Sequence, residues 1–282
     1  MICWILLMLI DCFPYFNEAE LLELRIKLLY DHVDLFVITE GNHTHKGVPK
    51  PYTLLDTLNT IDVPLDKIKV VHVELPNALE EPDHWVRERM QRNAAAAYIN
   101  DGDIAFVSDC DEIINPEVIE EYTTHLRENS NVIVRVPMVY LSSTAEYRVH
   151  MDDGNPVLWP TPFLCMKYHL EKYTLSDLRE DQSLNKHTIT EFMETFPMID
   201  GKVRDSGWHF TWMGGRRRMH VKYKNFLHDD EFNIKSDYTP SVGSPDPLFR
   251  HQHTLKKYPL ENLPKEVFQL ERVNKFLFSD YT

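Results

Sequence analysis

The stretch Asp101-Gly-Asp-Ile-Ala-Phe-Val-Ser-Asp-Cys-Asp-Glu112 decides how the chain folds. Ile104 to Val107 is a short apolar run with the length and flanks of a buried strand, and Asp109, Asp111 and Glu112 follow it at once. Like charges at Asp109 and Asp111 repel, and at the mouth of a sheet they are partly desolvated, so the pattern calls for a cation between them. A divalent metal carrying a phosphate ester meets that need. In open α/β sheets ligands bind outside the carboxyl ends of the strands, which is where this D-x-D falls. A plainer reading stands beside it. Asn115-Pro116 has the form of an N-cap followed by Pro at the first helical position, which makes Asp111 and Glu112 acidic residues leading into a helix.

The chain on either side supplies the scaffold. Met1 to Ile10 reads as a first strand. It has no Lys or Arg before Arg25 and about half the length of a membrane span, so neither signal nor anchor is read in it and the expected location is cytoplasmic. Asn17-Glu-Ala-Glu20 has the form of a capping box opening a helix over 17–30. Strands are expected over 34–40 and 70–75, a loop over 41–51, and a long helix over 83–100 favoured by the run Ala94 to Ala97. A helix over 116–129 and a strand over 132–140 complete an alternation that predicts a mostly parallel, twisted sheet flanked by helices. Beyond Leu141 the chain is rich in Trp, Tyr, His and Pro with few periodic segments, apart from a second capping-box pattern at Thr188-Ile-Thr-Glu191 and a tail over 245–282 that reads as helix and loop. The expected organisation is one domain, with residues 1–140 as its α/β nucleotide-binding half and 141–282 as its acceptor-side and catalytic half.

Composition narrows the function. Forty-four acidic against 30 basic residues give a net charge of -14, which argues against nucleic acid as the main partner. The runs Arg216 to Arg218 and Arg87 to Arg92 are the two basic patches able to meet a nucleotide. Cys3, Cys12, Cys110 and Cys165 show no C-x-x-C spacing and read as small core residues of a reducing compartment.

Four further constellations carry candidate chemistry. In Asp205-Ser-Gly-Trp-His-Phe-Thr-Trp-Met-Gly-Gly215 the glycines permit close backbone approach, and Trp208, Phe210 and Trp212 alternate as one strand face with His209 pointing the other way. The bland alternative is an aromatic core strand with a structural histidine. On a helix, Arg89, Arg92 and Asn93 share a face that can reach a diphosphate or sugar, against a solvated, salt-bridged face as the alternative. Glu180-Asp181 and His228-Asp-Asp-Glu231 offer carboxylates and an imidazole, although acidic runs on loops are usually solvated.

Taken in order, Asp11 with Phe13, Phe16-Asn17-Glu18, Leu21 to Arg25, Val33-Asp34 with Phe36 to Ile38 and Glu40, Trp85 with Arg87-Glu88 and Gln91 to Asn93, Ser108 to Glu112 with Pro116, and Gly207 to Phe210 resemble glycosyltransferase family 17 over roughly residues 10–230. That family is similar to the transferases that add bisecting N-acetylglucosamine to β-mannose. The resemblance implies a GT-A-like fold and an inverting, Mn²⁺- or Mg²⁺-dependent transfer from a UDP-sugar donor to an oligosaccharide or glycoprotein acceptor. UDP-GlcNAc is implied by the family alone, and UDP-xylose or UDP-glucose would use the same apparatus. By the same likeness Asp109 contacts ribose or metal and Asp111 the metal. Asp11, Phe13 and Glu40 line the nucleoside pocket, and His209 or His228 completes the metal shell.

An inverting base must lie on the far side of the sugar from the diphosphate, so the D-x-D cannot supply it. Asp205 is expected in that role, then Asp181, then Glu180, with Trp208 or Trp212 as a platform for a sugar ring. Two other classes compete. A metal-dependent phosphohydrolase needs more strand-end His or Asp ligands than His32, His43, His45 and His72 provide, and a non-catalytic carbohydrate-binding protein would rest on the aromatic second half.

Overall fold

The computed structural model describes residues 8–180, 190–192, 198–199, 202–203, 205–225, 238–247 and 253–279. The first half follows the expected alternation. It runs β1 (Leu9–Pro14), α1 (Ala19–Leu29), β2 (Leu35–Gly41), α2 (Leu54–Leu58), β3 (Ile68–Val73), α3 (His84–Asn93), β4 (Ile104–Val107), β5 (Glu112–Ile114) and α4 (Ile119–Glu128). Then come β6 (Ile133–Arg135), β7 (Met138–Ser142), β8 (Tyr147–Met151), β9 (Leu158–Trp159), β10 (Phe163–Met166) and α5 (Leu175–Glu180). The remaining elements are β11 (Thr190–Phe192), β12 (Met198–Ile199), β13 (Lys202–Val203), β14 (Gly207–Thr211), α6 (Gly215–Asn225), β15 (His253–Lys257), α7 (Glu266–Gln269) and α8 (Glu271–Leu277).

Two main sheets result. The first has seven strands in the order β11-β6-β10-β4-β1-β2-β3, with β3, β2, β1 and β4 mutually parallel and β10 inserted antiparallel. The second has six, β15-β8-β7-β14-β5 with β9 on β7, and is mixed. A separate hairpin joins β12 to β13. The half beyond Leu141 is therefore more regular than its composition suggests, and β7 runs through the boundary expected at 140.

Several boundaries shift for identifiable reasons. The expected strand over 132–140 is two strands in different sheets: Pro137 has no N–H for a ladder, and the Val136 N–H is taken by the Pro162 carbonyl. No capping box opens α1. The Glu18 carboxylate instead accepts from the Phe16 and Asn17 N–H groups just ahead of the helix. Ala94 to Tyr98 tighten into a 3-10 turn that ends the long helix early. Thr190–Phe192 pairs with β6 as a strand, where a helix start was expected, and β15 adds a strand to the tail. Asn115 does cap the turn that follows it, accepting the Glu117 N–H at 3.0 Å.

Strand alternation divides the apolar side chains between two cores. Leu9, Phe13, Ile104 and Phe106 pack with α1 and α4, and Ile10, Cys12, Ala105 and Val107 pack with α5 and the turn after α3. Each such Ile, Phe or Val stabilises the fold by about 1.5–3 kcal/mol. Asp11 lies between Leu9 and Phe13 in sequence, so the alternation turns it toward α1, and there the equally buried Arg25 meets it. Gly207 lets β14 approach β5, because a Cβ there would stand 2.5 Å from the Ile113 carbonyl oxygen. Cys12, Cys110 and Cys165 are free and buried, and none of the described helices is long and apolar enough to cross a membrane.

Arg25→Met would strand the Asp11 carboxylate without a cation, and urea denaturation should record a loss of about 3–5 kcal/mol. Pairing it with Asp11→Asn should recover much of that loss. An unchanged midpoint in the single variant would show that Arg25 does not carry the fold.

Candidate active site

Residues 108–111 carry the chain from β4 in the first sheet to β5 in the second, so the D-x-D sits on the seam between them. Its backbone is held from three sides. Arg25 Nη1 donates to the carbonyls of Asp109 and Glu112, both at 2.8 Å, and Arg25 Nη2 donates to Ser108 Oγ at 2.6 Å. From β14, the Phe210 N–H donates to the Asp111 carbonyl at 2.8 Å. The Glu112 carboxylate accepts the Asp109 N–H at 2.7 Å, closing the turn on itself.

The two aspartates then point to different cations. Asp109 Oδ1 lies 3.1 Å from Arg92 Nη2, and its Oδ2 lies 2.6 Å from Arg179 Nη2. Burial would raise its pKa, but Arg179 and then Arg92 outweigh that and hold it below the usual aspartate value. Asp111 Oδ2 pairs with Lys222 Nζ at 2.6 Å, and His209 Nε2 stands 3.6 Å from Oδ1. Here too burial pushes upward and is overcome by Lys222 and His209, leaving the carboxyl well below its usual range. Glu112 is fully buried and accepts from Arg179, Thr161 and the Trp159 indole, so it is a structural member of the cluster. Asp109 keeps 36% of its side-chain surface exposed against 9% for Asp111, so it is the aspartate that opens outward.

His209 projects toward this cluster from β14, opposite to Trp208. It lies beside Trp159 and Tyr140, at ring separations of 4.7 and 5.2 Å, and its Nδ1 is buried without a hydrogen-bond partner. Among the described residues no group of three or more His, Cys, Asp or Glu side chains forms a metal-binding set. Asp111 Oδ1 with His209 Nε2 is a two-donor set. Of the two, the carboxylate fits a Mg²⁺- or Mn²⁺-type cation, which commonly binds through one or two carboxylates with water and substrate phosphate as its other ligands, and the imidazole suits softer transition metals.

The other expected site residues divide by where the structure puts them. Arg89, Arg92 and Asn93 do share a face, turned to α5: Arg89 pairs with Glu180 at 2.8 Å, Arg92 with Glu88 as well as Asp109, and Asn93 Oδ1 accepts the Ser176 N–H. Asp11, Phe13, Glu40 and Trp208 are buried in structural roles. Asp11 and Phe13 engage Arg25, Glu40 accepts from the Thr53 and Leu54 N–H groups at the start of α2, and the Trp208 indole donates to Tyr258 Oη. Asp205 accepts from Tyr258 Oη at 2.5 Å and lies five residues before Phe210, about 16 Å along an extended chain from the Asp111 backbone. Trp212 leaves the expected alternation. The strand ends at Thr211, Trp212 takes φ 58°, and its ring packs with Tyr140, Val149 and Met219. Asp181 and the His228 to Glu231 run lie outside the described residues.

Arg179, Lys222, Trp159 and Arg25 were not singled out by the sequence reading. Arg179 adjoins the flagged Glu180, and Lys222 is four residues past the Arg216 to Arg218 run on the same helix. Helical spacing was the one signal that could have found Lys222.

Residues 7–145, just under half of the chain, match the family model described as Glycosyltransferase family 17. No curated protein matches the chain significantly. Among solved structures, the 4-diphosphocytidyl-2C-methyl-D-erythritol synthase of Anaerococcus prevotii overlaps 66% of this chain and 88% of its own, at 11% identity and a TM-score of 0.37. TarS 1–349 of S. aureus overlaps 58% of this chain and 48% of its own, at 16% identity and a TM-score of 0.36. TarS in complex with UDP gives 15% identity, coverages of 64% and 52%, and a TM-score of 0.34. The chain thus spans about half of TarS 1–349, and likenesses this distant carry no functional argument.

Asp109 and Asp111 bind protons less tightly in the folded protein than as free side chains. Their contribution is present above the unfolded pKa of about 4 and is lost as the pH falls through the lower folded values. Stability measured from pH 6 to pH 2 should therefore drop below about pH 4. Asp111→Asn should flatten that drop, and an unaltered profile in the variant would contradict the assignment.

Proposed function

Residues 7–145 match the model of glycosyltransferase family 17, and from that likeness we propose that the protein transfers a sugar from a UDP-sugar to a glycan hydroxyl with inversion at the anomeric carbon. The observation that carries this reading is the convergence of Arg92, Arg179 and Lys222 on Asp109 and Asp111 at the end of β4, inside the matched segment's strand-end turn. A diphosphate leaving group needs dense positive charge, and guanidinium forks suit its paired oxygens. In the transfer, the acceptor oxygen bonds to C1 and the bond from C1 to the diphosphate oxygen breaks. The electron pair of that bond leaves with UDP, and the acceptor proton passes to a carboxylate.

Asp111 with His209 would hold Mn²⁺ or Mg²⁺, which when bound neutralises charge developing on the diphosphate. Arg92 and Arg179 orient the phosphates beside Asp109, and Lys222 holds Asp111 ionised in the place the donor enters. For the base we keep Asp205, which precedes β14 and accepts from Tyr258 Oη, and Asp181. Glu180, at the end of α5, is held by Arg89 and Arg92 beside Asp109, on the diphosphate side of the site, and that placement excludes it. UDP-GlcNAc is the donor the family suggests, with UDP-glucose and UDP-xylose as the other arms of the test.

Incubation with a UDP-sugar panel and Mn²⁺ should release UDP slowly by hydrolysis and so identify the donor. Release of inorganic phosphate from UDP itself would favour a phosphohydrolase. Asp111→Asn should abolish metal-dependent UDP binding in calorimetry while leaving the fold intact, and unchanged affinity would defeat the proposal. Lys222→Met should lower kcat/KM by about 10²-fold, the scale seen on removing one preorganised charge-stabilising donor. Asp205→Asn should spare UDP binding and suppress transfer. If it transfers normally, the base is Asp181 or another residue.

A further inference from the structure

Helix α6 (Gly215–Asn225) presents two unlike faces. At about 100° per residue, Gly215, Arg218, Met219 and Lys222 fall on one side. Gly215 and Met219 are buried, Arg218 pairs with Glu20 at 2.7 Å, and Lys222 reaches Asp111. Arg217, His220, Val221 and Lys224 fall on the opposite side. They line a cavity of about 790 Å³ together with Gly214 and Arg216 at the start of the helix.

Three properties of this cavity point to an anion. Among the described residues no carboxylate lines it, although the chain carries a net charge of -14. Arg217 and Lys224 form no ion pair or hydrogen bond among the described residues, and Arg216 Nε is buried without a partner. Arg217 and Lys224 are exposed on one face of the helix, so water and salt screen their mutual repulsion, and an anion between them lowers it further. Its size suits one or two sugar residues, and Val221 contributes an apolar side chain to its lining.

We propose that the outer face of α6 binds an acidic group, a phosphate or a carboxylate, carried by the acceptor glycan. The protein would then select charged acceptors at a site separate from the donor cleft. The link to an acceptor rests on the glycosyltransferase reading above, while the anion site itself does not. Because Lys222 projects from the same helix toward Asp111, acceptor docking on α6 bears directly on the donor side.

The test uses the full chain and the Arg217→Gln/Lys224→Gln variant, with Lys256→Gln/Lys265→Gln as a control of equal charge loss. Inorganic phosphate is titrated while the amide resonances of Gly214 and Gly215 are followed by NMR. Saturable shifts in the wild type and control, weakened at least 10-fold in the variant and at raised salt, support the site. Absent shifts, or equal shifts in all three proteins, overturn it. Phosphorylated, uronic-acid-bearing and neutral oligosaccharides are then compared for retention by the UDP-loaded protein. Retention of an acidic set by the wild type and not by the variant supports the acceptor assignment and shows which acid is read. Equal retention of neutral glycans by both refutes it. UDP affinity should match in all three proteins, so a failure of donor binding is read separately from a failure of this site.

Discussion

One buried guanidinium holds the centre of this molecule together. Arg25 reaches from α1 to the Asp11 carboxylate on β1, to Ser108 Oγ, and to the carbonyls of Asp109 and Glu112, and it stacks 4.1 Å over the Phe13 ring. Burying an ion is unfavourable unless every donor is met, and this one is met by a bidentate carboxylate and by carbonyls that no sheet partner satisfies. A lysine would offer a single point of charge where a planar fork is needed. The turn that presents the D-x-D is thus fixed from behind before any ligand is considered.

In front of that turn the electrostatics run the other way. Five carboxylates, Glu88, Asp109, Asp111, Glu112 and Glu180, meet four cations, Arg89, Arg92, Arg179 and Lys222. The cations keep the aspartates ionised despite burial, and the aspartates keep Arg179 and Lys222 protonated. Under the proposed function, a diphosphate entering this network would bring oxygens that the same guanidiniums can grip. Its binding would exchange charged partners and create no uncompensated charge.

Much of this was written in the order of residues. Ile104 to Val107 was legible as a buried strand because it is short, wholly apolar and followed at once by carboxylates, and the parallel half of the first sheet follows from strand and helix alternation. The position of His209 opposite Trp208 was legible from the period of two. What escaped has a common cause: it depends on which distant segments meet. Nothing local in Val132 to Tyr140 except Pro137 marks a change of sheet. Nothing local marks Arg179 or Lys222 as neighbours of residues 70 and 111 positions away. Asp11 and Glu40 look like binding carboxylates in sequence and serve as internal anchors, because strand-end acids also cap helices and hold buried arginines. Asp205 was close to His209 in number but lies along the strand from it, where extended backbone converts four residues into about 13 Å.

The chain passes from the first sheet to the second twice by short crossings, through residues 108–111 between β4 and β5 and through Val136 and Pro137 between β6 and β7. Two crossings of this length act as the fixed jaws of a caliper. The spacing of the sheets at the seam is set by covalent backbone and not by the packing of side chains, which can be repacked by single substitutions. Changing that spacing then requires a longer or shorter crossing, and a chain built on this plan would vary its seam by insertion more readily than by point change.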